Sequence, residues 1–218
     1  MSTRGPVVHV VDDDASFVKA IARLLRASGF DVATYGSARE FLARPAPEGT
    51  GCVLCDLSMP DMDGLALQQA LAATANPLPI VFLSGHADVP QAVRAMRDGA
   101  DDFLTKRSDL GELLRAVERA LTHDRERREA QQRVHALRAR FDALTERERQ
   151  VLAEVVRGRL NKQIADQLGI HERTVKLHRT SITAKLGVRS VAELTRLTQE
   201  AGLLPEMTPA AARPAAAT

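Results

Sequence analysis

The chain of 218 residues has no tryptophan, one tyrosine and six phenylalanines, so aromatic side chains make up only 3% of it. Single-stranded nucleic acid is usually held by stacking its bases on aromatic platforms, so that mode of binding is disfavoured. Cysteine is as scarce: two residues cannot build the disulfide framework of a small secreted domain. No apolar run approaches the roughly 18 residues that a membrane-spanning helix needs, and no signal-peptide segment follows Met1. A cytoplasmic protein with no membrane partner is the expectation. None of the six histidines shows a metal-ligating spacing such as HExxH.

What is present is 44% hydrophobic and 27% charged residues, a composition that folds. At roughly 100–200 residues per domain this length predicts two modest domains. The net charge of +2 conceals an asymmetry, since residues 1–121 hold 12 Lys and Arg against 16 Asp and Glu, and residues 122–218 hold 18 against 12. An acidic half suits cations and phosphate chemistry, whereas an arginine-rich basic half suits a polyanion such as DNA.

The first half alternates strand and helix. Val7 to Val11, Phe30 to Tyr35, Cys52 to Cys55, Pro79 to Leu83 and Asp102 to Thr105 read as strands. Between and after them lie amphipathic stretches: one carrying Phe17, Val18, Ile21, Leu24 and Leu25, one opened by Ser37 with Glu40, then Gly64 to Ala75, Val89 to Arg97, and one starting near Ser108 or Asp109. Five βα units predict a doubly wound, five-stranded parallel sheet with helices on both faces. In such a sheet, ligands bind beyond the carboxyl ends of the strands. Asp12 and Asp13, Asp56, Ser84 and Lys106 each follow the last apolar residue of a different strand. An acidic triplet at a helix start would by itself read as complementing the helix dipole, but residues of this chemistry at four strand ends point to a site. Three carboxylates in one crevice call for a hard cation, and Mg²⁺ fits because it takes oxygen ligands and keeps several waters. The remaining roles are a carboxylate nucleophile, a cation for a phosphoryl oxygen, and a hydroxyl to hydrogen-bond another. The CxxC of Cys52 and Cys55 lies within a strand, where positions i and i+3 face opposite ways, so the two thiols are not expected to share a metal or a disulfide.

On these residues, 6–121 resembles the receiver domain of two-component response regulators, of flavodoxin-like topology. The resemblance implies that Asp56, within Asp56-Leu57-Ser58-Met59-Pro60-Asp61-Met62-Asp63-Gly64, is the phosphoacceptor. It also implies that Ser84 is the switch hydroxyl, Lys106 the family's lysine and Phe103 the aromatic switch position. Mg²⁺ would be held by Asp13, Asp56 and the Ser58 carbonyl, with Asp12 assisting through water. The family's lysine is normally followed by proline, and here Arg107 stands in its place. A Lys106–Arg107 bond should be trans, since a cis bond outside X-Pro costs about 2.5–4 kcal/mol. The expectation drawn from this is that Lys106 sits away from the crevice until phosphoryl or Mg²⁺ draws it in, with Arg107 either at the crevice rim beside Asp109 or the acidic residues around Asp61, or free in solvent.

Residues 110 to 141 keep a helical period that becomes charged after Leu121, so the last helix of the first domain is expected to run on as a linker over 122–142. At 1.5 Å per residue it would span about 40–50 Å. Beyond it, a Thr145–Glu148 capping box, glycines at 158, 169 and 187, and Ser190 with Glu193 outline four short helices, the second and third joined by a tight turn. Lys176, Arg179 and Thr180 lie opposite the apolar Val175 and Ile182, with Lys162 and Lys185 flanking. A basic, outward-facing helix suits the major groove. Together with Asn161-Lys162-Gln163-Ile164-Ala165, Thr174-Val175-Lys176-Leu177-His178-Arg179 and Lys185-Leu186-Gly187-Val188, residues 143–204 closely resemble the LuxR-type helix-turn-helix domain of FixJ/NarL regulators. Of the DNA-binding set that this implies (Lys162, Thr174, Lys176, Leu177, His178, Arg179, Thr180 and Lys185), Lys176, Leu177 and Thr180 would face bases. Lys162, His178, Arg179 and Lys185 would approach phosphates. His171 occupies the position where the family often has a capping serine, and 205–218, rich in Ala and Pro, reads as a disordered tail.

The function implied is a non-enzymatic response regulator: a histidine kinase phosphorylates Asp56, the phosphorylated chain forms a homodimer, and the dimer binds double-stranded promoter DNA and works with RNA polymerase, activating transcription. A phosphatase or phosphotransferase of aspartyl-phosphate type is the rival from another class. It would need a second aspartate two residues after Asp56, where Ser58 stands. A DNA-binding protein with a vestigial receiver is a third reading.

Overall fold

A computed structural model describes residues 5–45, 49–85 and 89–203 of the chain. The tail expected over 205–218 lies outside the described residues. The chain forms two compact units, Met1–Glu129 and Ala130–Thr218.

The first unit holds a parallel sheet of strands β1 (Val7–Val11), β2 (Asp31–Tyr35), β3 (Gly51–Asp56), β4 (Ile80–Ser84) and β5 (Asp102–Thr105), in the order β2-β1-β3-β4-β5. Helices α1 (Ala15–Ala27), α2 (Ala38–Leu42), α3 (Gly64–Ala72), α4 (Val89–Arg97) and the start of α5 (Leu110–Asp142) cover it. The period of two along the strands sorts the core into two layers. Val8, Val10, Cys52, Leu54, Val81, Leu83 and Leu104 pack against α1 and α5. Val11, Val53, Cys55, Ile80 and Phe82 pack against α2, α3 and α4. Cys52 and Cys55 therefore lie on opposite faces as free, buried thiols, and burial pushes the Cys52 thiol up to about 12.

Helix α3 ends at Ala72, before the expected Ala75: the Leu71 carbonyl is taken by both the backbone N–H and the hydroxyl of Thr74, which closes the last turn. At the start of α2, Ser37 accepts from the Glu40 N–H, while the Glu40 carboxylate takes the Gly36 N–H and leaves that of Ser37. Gly64, which opens α3, is required by close approach. A Cβ there would lie 2.6 Å from the Asp56 carbonyl oxygen and 2.7 Å from Phe82 Cε1, so only glycine lets the helix start against the end of β3.

The second unit is helical. The last turns of α5 supply Leu137 and Phe141 to a core shared with α6 (Glu146–Val156), α7 (Asn161–Leu168), α8 (Glu172–Leu186) and α9 (Val191–Glu200). The Thr145–Glu148 capping box is complete. Gly169 and Gly187 close α7 and α8 in the left-handed conformation, as helix C-termini favour. His171 precedes α8 without a side-chain hydrogen bond to the helix.

Candidate functional site

At the carboxyl end of the sheet the acidic triplet divides its labour. Asp14 is the cap of α1, its carboxylate accepting from the N–H groups of Ser16 and Phe17 at 2.9 and 3.1 Å. Those bonds, Phe17's foremost, hold it below the ordinary carboxylate range. Asp12 is buried and Asp13 exposed. Carboxylate oxygens of Asp12, Asp13 and Asp56 lie within 4.8 Å of one another.

Lys106 sits in this group. Its Nζ is 2.6 Å from Asp12 Oδ2 and 3.4 Å from Asp56 Oδ2. Burial lowers the ammonium's pKa, but the hydrogen bond and charge of Asp12, then the charge of Asp56, leave it raised overall. Asp56 is raised by burial and by the charge of Asp12, against the pull of Lys106. The expectation that Lys106 would stand outside the crevice is corrected, although the trans peptide is as expected, with no cis bond among the described residues. The Lys106 N–H donates to the Ser84 carbonyl at 2.8 Å, so ladder pairing continues one residue past β5 and aims the side chain at the carboxylates. Arginine after the lysine does not disturb that geometry. Arg107 itself is exposed and forms no ion pair among the described residues.

The other expected members surround this centre. Ser84 is buried at the end of β4, in register with Thr105. Ser58 is exposed in the loop after β3. Phe103 is half-buried, its ring centroid 6.3 Å from that of Phe82.

In the second unit, Lys162, Lys176, Leu177 and Thr180 are exposed, while Thr174, His178 and Arg179 are half-buried. Leu177 leaves 64% of its surface in solvent, which is costly for a leucine without a partner. Lys176 pairs loosely with Glu172 at 3.4 Å. Arg179 Nη1 donates to Asn161 Oδ1 at 3.0 Å. Lys185, also exposed, reaches a buried carboxylate: its Nζ is 2.7 Å from Glu148 Oε2 and 3.3 Å from the Ala143 carbonyl. Glu148 anchors this contact. It is buried, takes the Thr145 N–H on Oε2 and the Ser181 hydroxyl on Oε1, and is held at about 2 by Lys185 first, then Ser181.

Comparison with known proteins identifies both units. Residues 8–118 match the response regulator receiver domain, and residues 142–198 match the bacterial regulatory proteins of the luxR family. The chain is a response regulator. It is 42% identical to nodulation protein W of Bradyrhizobium diazoefficiens over 90% of this chain and 87% of that one. To the transcriptional regulatory protein FixJ of Rhizobium meliloti it is 39% identical over 91% and 97%. Among solved structures, the response regulator StyR matches with a TM-score of 0.79 at 46% identity, covering 90% of this chain and 100% of that one. This response regulator thus pairs a receiver with a LuxR-type DNA-binding domain, a family of transcription regulators and not of enzymes. Among the described residues no helix is long and apolar enough to cross a membrane.

Proposed function

We propose that Asp56 accepts a phosphoryl group from a histidine kinase and that this controls dimerisation and promoter binding. The observation that carries the reading is the group of Asp12, Asp13 and Asp56 with Lys106 between two of the carboxylates. An Asp56 oxygen forms the new O–P bond as the bond from phosphorus to the donor's imidazole nitrogen breaks, its electron pair returning to the ring. Lys106 then pairs with a phosphoryl oxygen and the Ser84 hydroxyl hydrogen-bonds another, stabilising charge where it develops. Three hard oxygen donors beside one ammonium fit a divalent cation. Asp13, Asp56 and the Ser58 carbonyl would hold Mg²⁺, with Asp12 assisting through water, and the ion when bound would neutralise phosphoryl charge.

Exposed Val89, Val93 and Met96 on α4 and Leu110 at the start of α5 support a homodimer contact through α4, β5 and α5 once Asp56 is phosphorylated. A dimer would present two α8 helices to paired half-sites of double-stranded DNA, with Leu177 meeting a thymine methyl and Lys176 a base edge. From that position the dimer would engage RNA polymerase and activate transcription in the cytoplasm. Incubation with labelled acetyl phosphate and Mg²⁺ tests the chemistry: label should enter the wild-type chain and be lost in Asp56→Asn or with a chelator. Label persisting in Asp56→Asn refutes the assignment.

A further inference from the structure

Lys106 has a third neighbour that carries no charge. Its Nζ lies 4.6 Å from the centroid of the Phe17 ring, inside the range over which an ammonium is attracted to the negative face of an aromatic ring. Phe17 is not placed there loosely. It is the third residue of α1, its N–H bound to the capping carboxylate of Asp14, and it is half-buried, packed on the core layer formed with α1 and α5. The cap fixes the turn, the core restrains the side chain, and the lysine ammonium lies over the ring.

We infer that Phe17 is a positioning residue for Lys106, holding its ammonium over the crevice so that it is in place for the phosphoryl group. The inference rests on the phosphoacceptor reading given above. Its physical content is that the ring's attraction outlasts a change the carboxylates undergo. Asp12 and Asp56 hold Lys106 only while their oxygens carry charge and are not shared with another cation. Once Asp56 is esterified, the oxygen that paired with Lys106 is committed to the phosphoryl group. The quadrupole of Phe17 changes in neither case, and a phenyl ring does not compete as a metal ligand. The chain also lacks proline after the lysine, so the backbone at Arg107 leaves the following loop less restricted. A rigid ring against the side chain supplies restraint at the other end of the same residue.

The test uses the full-length protein and the variants Phe17→Leu, Phe17→Tyr and Lys106→Ala. In the NMR spectrum of the wild type, the Lys106 δ and ε methylene protons should show an upfield ring-current shift. It should be retained in Phe17→Tyr and abolished in Phe17→Leu. Initial uptake of phosphoryl from acetyl phosphate should slow by about three- to tenfold in Phe17→Leu, the effect expected of a partly desolvated cation–π contact. Phe17→Tyr should stay within about twofold of wild type, since it keeps the quadrupole. Equal losses in Phe17→Leu and Phe17→Tyr, or a Leu variant as fast as wild type while Lys106→Ala is slow, would overturn the positioning role. A Lys106→Ala chain that takes up phosphoryl at the wild-type rate would instead overturn the role of Lys106 itself, and with it the functional purpose of the contact. Thermal melts of the Leu and Tyr variants separate loss of packing from loss of the ring: a Leu variant that melts with wild type and still reacts slowly supports the inference.

Discussion

Replacing Glu148 by glutamine should weaken the DNA-binding unit well beyond what a surface charge is worth. Glu148 is 4% exposed, and its carboxylate ties the start of α6 to α8 through three groups: the Thr145 N–H, and the Ser181 hydroxyl and Lys185 ammonium on α8. The carboxyl is held at about 2 against an ordinary 4.5, and at 1.36 kcal/mol per unit that difference is about 3 kcal/mol. Hydrogen bonds to charged groups contribute about 1.5–3 kcal/mol each in mutational series. Lys185 is 35% exposed and so partly screened, which argues for the lower end, about 2 kcal/mol for Glu148→Gln at pH 7. The sign with pH follows from linkage. The folded-state value lies below the unfolded one, so the contribution is complete above about pH 4.5 and is lost as pH falls toward 2. Hydrogen exchange resolved to α6 and α8 in the intact chain would measure it. Protection of α8 amides in Glu148→Gln within 0.5 kcal/mol of wild type at pH 7, or a wild-type α8 whose stability ignores pH between 4.5 and 2, would refute the reasoning, since an inert surface site stays within about that margin.

Gly64→Ala should cost about 1–3 kcal/mol as an overpacked site and slow phosphoryl uptake, because the obstructing atoms include the Asp56 carbonyl; denaturant melts and labelling check both. His9, buried between Tyr35 and Phe41 and pushed down to about 4 by that burial, should cost the receiver unit up to about 3 kcal/mol as pH falls from 6.5 to 4. The stability of His9→Gln should lack that slope in β1 hydrogen exchange. Lys162→Ala should weaken binding to all DNA sequences alike and flatten the salt slope, whereas Lys176→Ala should cost about 1–3 kcal/mol chiefly at the true site. Lys185→Ala, by its contact with Glu148, should lower the stability of the unit more than it alters the salt dependence of binding.

The parts of this molecule that sequence makes legible are those set by local rules. The strand ends at Val11, Asp56, Ser84 and Thr105 are marked by apolar runs that stop at polar residues, so Asp12, Asp56, Ser84 and Lys106 could be placed at one end of the sheet before the sheet was seen. The separation of Cys52 from Cys55 follows from the strand's period alone. Contacts between distant segments leave no such trace. The capping half of Glu148 is readable from Thr145, three residues away, but its bonds to Ser181 and Lys185 span 33 and 37 residues and leave no local trace. Asp124 looks like one charge in a solvated run. It is in fact 1% exposed, accepting the Gly51 N–H at 3.0 Å and the Arg128 guanidinium at 2.7 Å. That Lys106 already pairs with Asp12 and Asp56 is likewise not readable locally, since those carboxylates stand at the ends of two other strands.

The central claim, that phosphorylation of Asp56 changes the state of the whole chain, is tested most directly by sedimentation velocity at micromolar concentration. Wild type and Asp56→Asn would each be run with and without acetyl phosphate and Mg²⁺. The account predicts a shift from monomer to dimer in the wild type when the donor is present, and no shift in Asp56→Asn. The same sedimenting species in all four samples, or a donor-dependent dimer that survives in Asp56→Asn, would contradict it.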